Sequence, residues 1–101
     1  MYILEGIMHV ISKKRLIEFY SIHSTSKSPL LKWFQEIKKG SFQNIAEIRL
    51  LYPHADKVGR RTVFNIGGNE YRLITRINYL TQKVFIVCIL THAEYDKNHW
   101  K

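Results

Sequence analysis

Cysteine, proline and acid are all scarce in this chain. Cys88 is the only cysteine, so no internal disulfide can form and a packed core must hold the fold. That cysteine usage fits a reducing cytosol. With one cysteine and with His9, His54 and His99 scattered, no zinc-ligand spacing exists. Asp56, Glu70, Glu94 and Asp96 fall at no spacing that reads as a magnesium cluster, so neither a metal nor another cofactor is expected. No apolar run approaches the ~20 residues that a membrane helix needs. The first seven residues carry neither the basic region nor the apolar core of a secretion signal. Residues 1–7 are therefore read as an extension before Met8, and residues 8–101 as one domain.

Positive charge and apolar side chains are plentiful. Sixteen Lys and Arg stand against eight Asp and Glu, a formal net charge of +8. A small domain this basic favours a polyanion as partner, nucleic acid first. The 46% of hydrophobic residues can fill a modest core. Cys88 lies in the run Val84 to Leu90 and reads as a small buried core residue, not a nucleophile.

The first half has helical periodicity. Met8 to Ile11 reads as a strand. Ser12 is placed to cap a helix over 13–24 whose apolar stripe is Leu16, Phe19, Tyr20 and His23. His23 reads there as a helix-end or packing residue. Ser28-Pro29 marks the start of a second helix that buries Leu30, Trp33, Phe34 and Ile37 and stops at Gly40. Ser41 reads as the cap of a third, short helix carrying Phe42, Ile45 and Ile48, which Pro53 ends.

From Asp56 the period becomes two. Arg61 to Ile66 is a strand, Gly67-Gly68 a tight turn, and Glu70 to Tyr79 the returning strand. No helix follows these glycines, so they do not read as a nucleotide loop. Thr81-Gln82 turns the chain into a third strand, Lys83 to Leu90, apolar on both sides and so central. Residues 93–100 form a short tail helix or turn. The order predicts an α+β domain: a mainly antiparallel sheet with two to three N-terminal helices on one face.

Strand alternation puts Arg72 and Arg76 on one face, roughly 13 Å apart along the strand. Lys57, Arg60, Arg61 and Lys83 extend this into a basic patch. Guanidinium groups match phosphate oxygens in a bidentate way; the alternative is a solvated strand face balanced by acids elsewhere. His92 and Tyr95 follow the last strand and can stand over the arginine face if that strand lies beside the arginine strand. Cleavage of RNA by its own 2′-hydroxyl needs a base, positive charge on the phosphorane and an acid for the 5′-oxygen. His92 is the natural proton shuttle. Tyr95 is suited to hold phosphate, stack on a base or relay a proton, and Glu94 or Asp96 to act as base or to orient His92.

Four blocks carry a resemblance. Met8 to Ser12, Val63-Phe64-Asn65-Ile66-Gly67-Gly68-Asn69-Glu70-Tyr71-Arg72-Leu73, Arg76 to Tyr79, and Thr91-His92-Ala93-Glu94-Tyr95-Asp96 resemble the signature blocks of the HigB toxins, of the RelE-like superfamily. The resemblance spans about Met8 to Trp100. It implies a RelE-type fold and a cytoplasmic mRNA interferase that works without a metal, typically on translating ribosomes. It implies a HigA-like helix-turn-helix antitoxin that neutralises the toxin and brings it to operator DNA. Arg72 and Arg76 match the basic strand of the family, and His92 and Tyr95 its C-terminal His and Tyr positions. Two other readings stand beside this one: a non-catalytic RNA- or ribosome-binding inhibitor, which uses the same basic face, and an interaction protein that only partners its antitoxin as a co-repressor.

Overall fold

Alternating apolar and polar residues in the second half of the chain build four strands, and a short segment near its start adds the fifth strand of one sheet. A computed structural model describes residues 8–101; the expected extension at residues 1–7 lies outside the described residues. The elements run β1 (His9–Ile11), α1 (Lys13–Ile22), a 3₁₀ turn (Ser24–Ser26), α2 (Lys27–Lys39), α3 (Ile45–Leu51), β2 (Asp56–Val58), β3 (Arg61–Ile66), β4 (Tyr71–Asn78), β5 (Lys83–Thr91) and α4 (His92–Asp96). The strand order is β1-β5-β4-β3-β2, and only β1 against β5 is parallel. This is the expected α+β arrangement. The basic segment from Asp56 contributes a separate edge strand, β2, because Gly59, at φ +60°, reverses the chain before β3.

The N-terminal helices supply one wall of the core. Leu16 of α1, Leu30, Trp33, Phe34 and Ile37 of α2 and Ile48 of α3 are buried against Phe64, Ile66, Leu73, Val84, Ile86 and Ile89 of the sheet. Trp33 meets Phe64 edge to face, with centroids 5.4 Å apart.

Three expected caps differ. Ser12 is left-handed, at φ 76°, and makes no side-chain cap bond to α1. α2 begins at Lys27, ahead of Ser28-Pro29. Proline is tolerated there because the first-turn N–H groups have no helical acceptor. α3 is capped by Asn44, whose side chain accepts from the Glu47 N–H at 3.0 Å, not by Ser41. Phe42 precedes that helix yet is still buried.

Trp33 is fully buried, and its indole N–H has no hydrogen-bond partner among the described residues. Removing an unpaired donor offsets part of the lost packing, since such a group costs about 1–3 kcal/mol. We expect Trp33→Phe to stay within about 1.5 kcal/mol of the parent and Trp33→Ala to lose about 3–5 kcal/mol. Urea midpoints at constant slope measure both. Equal losses in the two variants would mean the orphan donor carries no penalty.

Candidate active site

Two residues after Leu90, the chain leaves the sheet and turns at once into α4. Thr91 holds that turn as a capping box. Its hydroxyl accepts from the Glu94 N–H at 3.2 Å, and the Glu94 carboxylate accepts from the Thr91 N–H at 2.9 Å. One oxygen of the exposed Glu94 carboxylate is thus engaged with the backbone. The His92 N–H donates to the Glu70 carbonyl at 2.9 Å, which ties α4 to the loop before β4.

One turn later in α4, Asp96 faces His92. His92 Nδ1 lies 2.9 Å from Asp96 Oδ2. With a hydrogen at Nδ1 given to the carboxylate, the neutral ring keeps its lone pair on Nε2 and can accept a proton there. His92 is half-exposed and Asp96 exposed, and the pair fixes the orientation of the ring.

Tyr95 stands over Arg72, with the guanidinium carbon 5.4 Å from the ring centroid. Trp100 stacks on the far side of Tyr95 at 4.8 Å and donates its indole N–H to the Tyr95 carbonyl at 3.0 Å. Burial pushes the Tyr95 phenol above its usual range; Asp56 adds to this and the Arg72 charge opposes it. At neutral pH Tyr95 is thus a neutral hydrogen-bond donor, not a phenolate base.

Arg72 is only 8% exposed. It donates to the Asn69 and Tyr71 carbonyls, each at 3.2 Å, and to Asn69 Oδ1 at 2.7 Å. The guanidinium therefore braces the turn that begins with Gly67 and Gly68, both at positive φ. Its charge stands behind Asn69, which with His23, Glu70, Tyr71, Thr91, His92 and Ala93 lines an open cleft of about 450 Å³.

Arg76 is not brought to that cleft. It is exposed near the other end of β4, where it flanks Phe85 at 5.7 Å and shares a cleft with Arg60, Asn78 and Tyr79. Lys57, Arg60 and Arg61 converge on a neighbouring cleft with Asn44 and Thr62. Lys83 is exposed at the start of β5. The site residues expected from the sequence thus fall into two groups: Arg72, His92, Tyr95 and Asp96 at one end of the sheet, and Arg76 with the remaining bases at the other. His23, read from the sequence as a packing residue, lines the cleft of the first group.

Cys88 departs from its expected place in the core. It is half-buried on the sheet face opposite the helices, in a cleft with Leu90, Glu94, Lys97, His99 and Trp100. Burial raises its thiol above the ordinary range, against the pull of Arg61 and Arg15. Among the described residues no helix is long and apolar enough to cross a membrane, and no three His, Cys, Asp or Glu side chains gather as metal ligands.

Residues 26–98 match the family described as HigB_toxin, RelE-like toxic component of a toxin-antitoxin system. The chain is 32% identical over 92 residues to the mRNA interferase toxin HigB of Escherichia coli (strain K12), covering 88% of each protein. It has the same identity and coverage with the mRNA interferase HigB of Shigella flexneri. With that of Escherichia coli O6:H1 (strain CFT073) it shares 33% over 93 residues, covering 89% of this chain and 90% of the relative.

A raised pKa means less thiolate at a given pH, so folding should protect Cys88. Iodoacetamide is expected to modify it more slowly in the native chain than in urea at pH 8. The native rate should climb only above the usual thiol range of about 8.5. Equal rates in the two states would contradict the placement of Cys88.

Proposed function

The chain belongs to the HigB toxin family, the RelE-like toxic component of a toxin–antitoxin system, and from that membership we propose that it is an mRNA interferase, an endoribonuclease that cuts messenger RNA and so halts translation and growth. As a toxic component it has an antitoxin partner. The finer partners belong to the same proposal: a HigA-like helix-turn-helix antitoxin that neutralises the toxin and carries it to operator DNA, and messenger RNA met on the translating ribosome in the cytoplasm.

The observation that carries the chemistry is the 2.9 Å pair between His92 Nδ1 and Asp96. It leaves Nε2 free to take the proton of a 2′-hydroxyl beside the scissile bond. The 2′-oxygen then attacks phosphorus, the P–O5′ bond breaks, and a 2′,3′-cyclic phosphate and a 5′-hydroxyl result. These groups require no metal. Arg72 lends positive potential from behind Asn69 to the charge that grows on the phosphorane. Tyr95, kept neutral, donates to a phosphate oxygen or stacks on a base. Arg76, Lys57, Arg60, Arg61 and Lys83 bind the RNA backbone away from the reacting bond, and Arg76 serves this role in place of a catalytic one.

Induction of His92→Ala in a bacterium should remove growth arrest and the new mRNA ends that primer extension detects with the parent. Cleavage is expected to slow by about 10²–10⁴-fold, the usual worth of a positioned proton carrier. Arrest without any new mRNA ends, in parent and variant alike, would instead assign inhibition by occupancy. Separately, Lys57→Gln and Arg60→Gln should flatten the salt dependence of RNA binding, by about 0.7 in log–log slope for each phosphate no longer neutralised. An unchanged slope would remove these residues from the RNA path.

A further inference from the structure

His23 reaches the His92 cleft from the opposite layer of the molecule. It sits where α1 ends, and its backbone is pinned on both sides. Its N–H donates to the Phe19 carbonyl at 2.8 Å, while its carbonyl accepts from the Ser26 N–H at 2.9 Å and from the Ser26 hydroxyl at 2.6 Å. The imidazole lies on the Phe19 ring, 4.3 Å between centroids and 23° from parallel. It meets the Tyr71 ring edge-on at 6.0 Å. Tyr71 is itself fixed, because its hydroxyl and that of Thr25 are hydrogen-bonded at 2.5 Å. The stack on Phe19 and the edge contact with Tyr71 leave the ring few ways to turn. Packing explains why the residue is aromatic. It does not explain why a polar ring should line a cleft whose other walls are His92, Asn69, Glu70 and Thr91.

We propose that His23 is the second proton carrier of the cleavage reaction, the general acid that protonates the 5′-oxygen while His92 takes the proton from the 2′-hydroxyl. The inference rests on the mRNA interferase reading above and completes it, since that reading supplies a base and names no acid. The balance is one proton in and one out. His92 Nε2 gains the 2′-hydroxyl proton as the 2′-oxygen bonds to phosphorus. The P–O5′ bond breaks, and the imidazolium of His23 gives its proton to the departing oxygen. Exchange with water restores both rings. Both rings line the same open cleft, whose volume of about 450 Å³ falls in the range of small-ligand clefts, roughly 300–1,000 Å³. The asymmetry of their surroundings assigns the roles. His92 has a carboxylate on Nδ1 that leaves Nε2 as the free acceptor, whereas His23 has aromatic rings and no carboxylate bonded to it. The other ionisable groups around His23 are Glu70 from the turn, Tyr71 from β4 and His92 from α4. Glu70 is the competing acid.

The test uses an RNA with one mapped cleavage site, presented on programmed ribosomes where cleavage requires them, and the same RNA with sulfur in place of the bridging 5′-oxygen. A thiolate leaves without protonation, so the sulfur substrate bypasses the acid and not the base. His23→Phe keeps the stack on Phe19 and Tyr71 and removes the proton. On the oxygen substrate it should cleave about 10²–10⁴-fold more slowly than the parent, and on the sulfur substrate within a few-fold of it. His92→Ala should be slow on both. The parent's rate should fall at high pH, where the acid is deprotonated, and His23→Phe should lose that fall. Three results would overturn the proposal: parent-like cleavage by His23→Phe on oxygen, equal loss on both substrates, or rescue by sulfur confined to Glu70→Gln. Failure of the parent protein to cleave either RNA under any condition would strike the interferase reading itself, a separate outcome.

Discussion

Val87 sits in β5 between Ile86, which pairs with Thr75, and Cys88, which pairs with Ile74. This extra residue is a β-bulge, and it reverses which side chains face the helices. Before it, Val84 and Ile86 are buried in the core; after it, Ile89 takes that place. Cys88 and Leu90 turn to the other face, and Thr91 leaves the sheet opposite Tyr71. The half-turn directs the chain so that His92 opens onto the cleft beside Tyr71 while Tyr95, one helical turn later, covers Arg72. Were the alternation unbroken through Val87, Cys88 and Leu90 would point into the core and Ile89 to the outer face, and His92 would start its helix from the wrong side of the sheet.

The same bulge marks the limit of what the sequence discloses. Val84 to Leu90 is apolar throughout, so no polar residue reports where the alternation slips, and Cys88 reads as core. Elsewhere the alternation is legible because both faces differ in chemistry. On β4, Tyr71 and Leu73 go to the core, and Arg72 and Arg76 turn away from it. The Gly67-Gly68 turn and the apolar stripe of α2 are equally plain, being set by backbone conformation and by helical period. Helix caps are less so. Ser12, Ser28 and Ser41 all have the right chemistry for a cap, but Ser12 stands at the N-cap of α1 without a side-chain bond, α2 starts ahead of Ser28, and Asn44 caps α3. The cleft residue His23 is hidden for a different reason. At a helix end beside Phe19 it has every mark of packing, and only the tertiary fold brings it to His92.

The acids explain why so much positive charge stays unneutralised. Among the described residues, Lys14 with Glu18 is the one ion pair between a lysine or arginine and a carboxylate. Glu94 and Glu47 are bonded to backbone N–H groups at helix starts, Glu36 accepts from the Tyr52 hydroxyl, and Asp96 faces His92. Carboxylates here finish local structure or orient a ring. The other basic side chains are left without carboxylate partners among the described residues, and Lys57, Arg60, Arg61 and Arg76 line clefts along β2, β3 and β4.

The parallel pairing of β1 with β5 has a bearing on how a newborn copy matures. His9 pairs with Lys83, Val10 with Val84 and Ile11 with Phe85, so the beginning of the described chain must wait for nearly its end. Synthesis is vectorial, and contacts this distant in sequence close late. The strand that completes the sheet is followed at once by Thr91 and His92. A nascent chain therefore holds its helices and its first hairpins before it holds a cleft, and the ribosome that makes it is finished with most of the message by the time the two histidines meet. Until then the cleft lined by His23, Tyr71, Thr91 and His92 is incomplete.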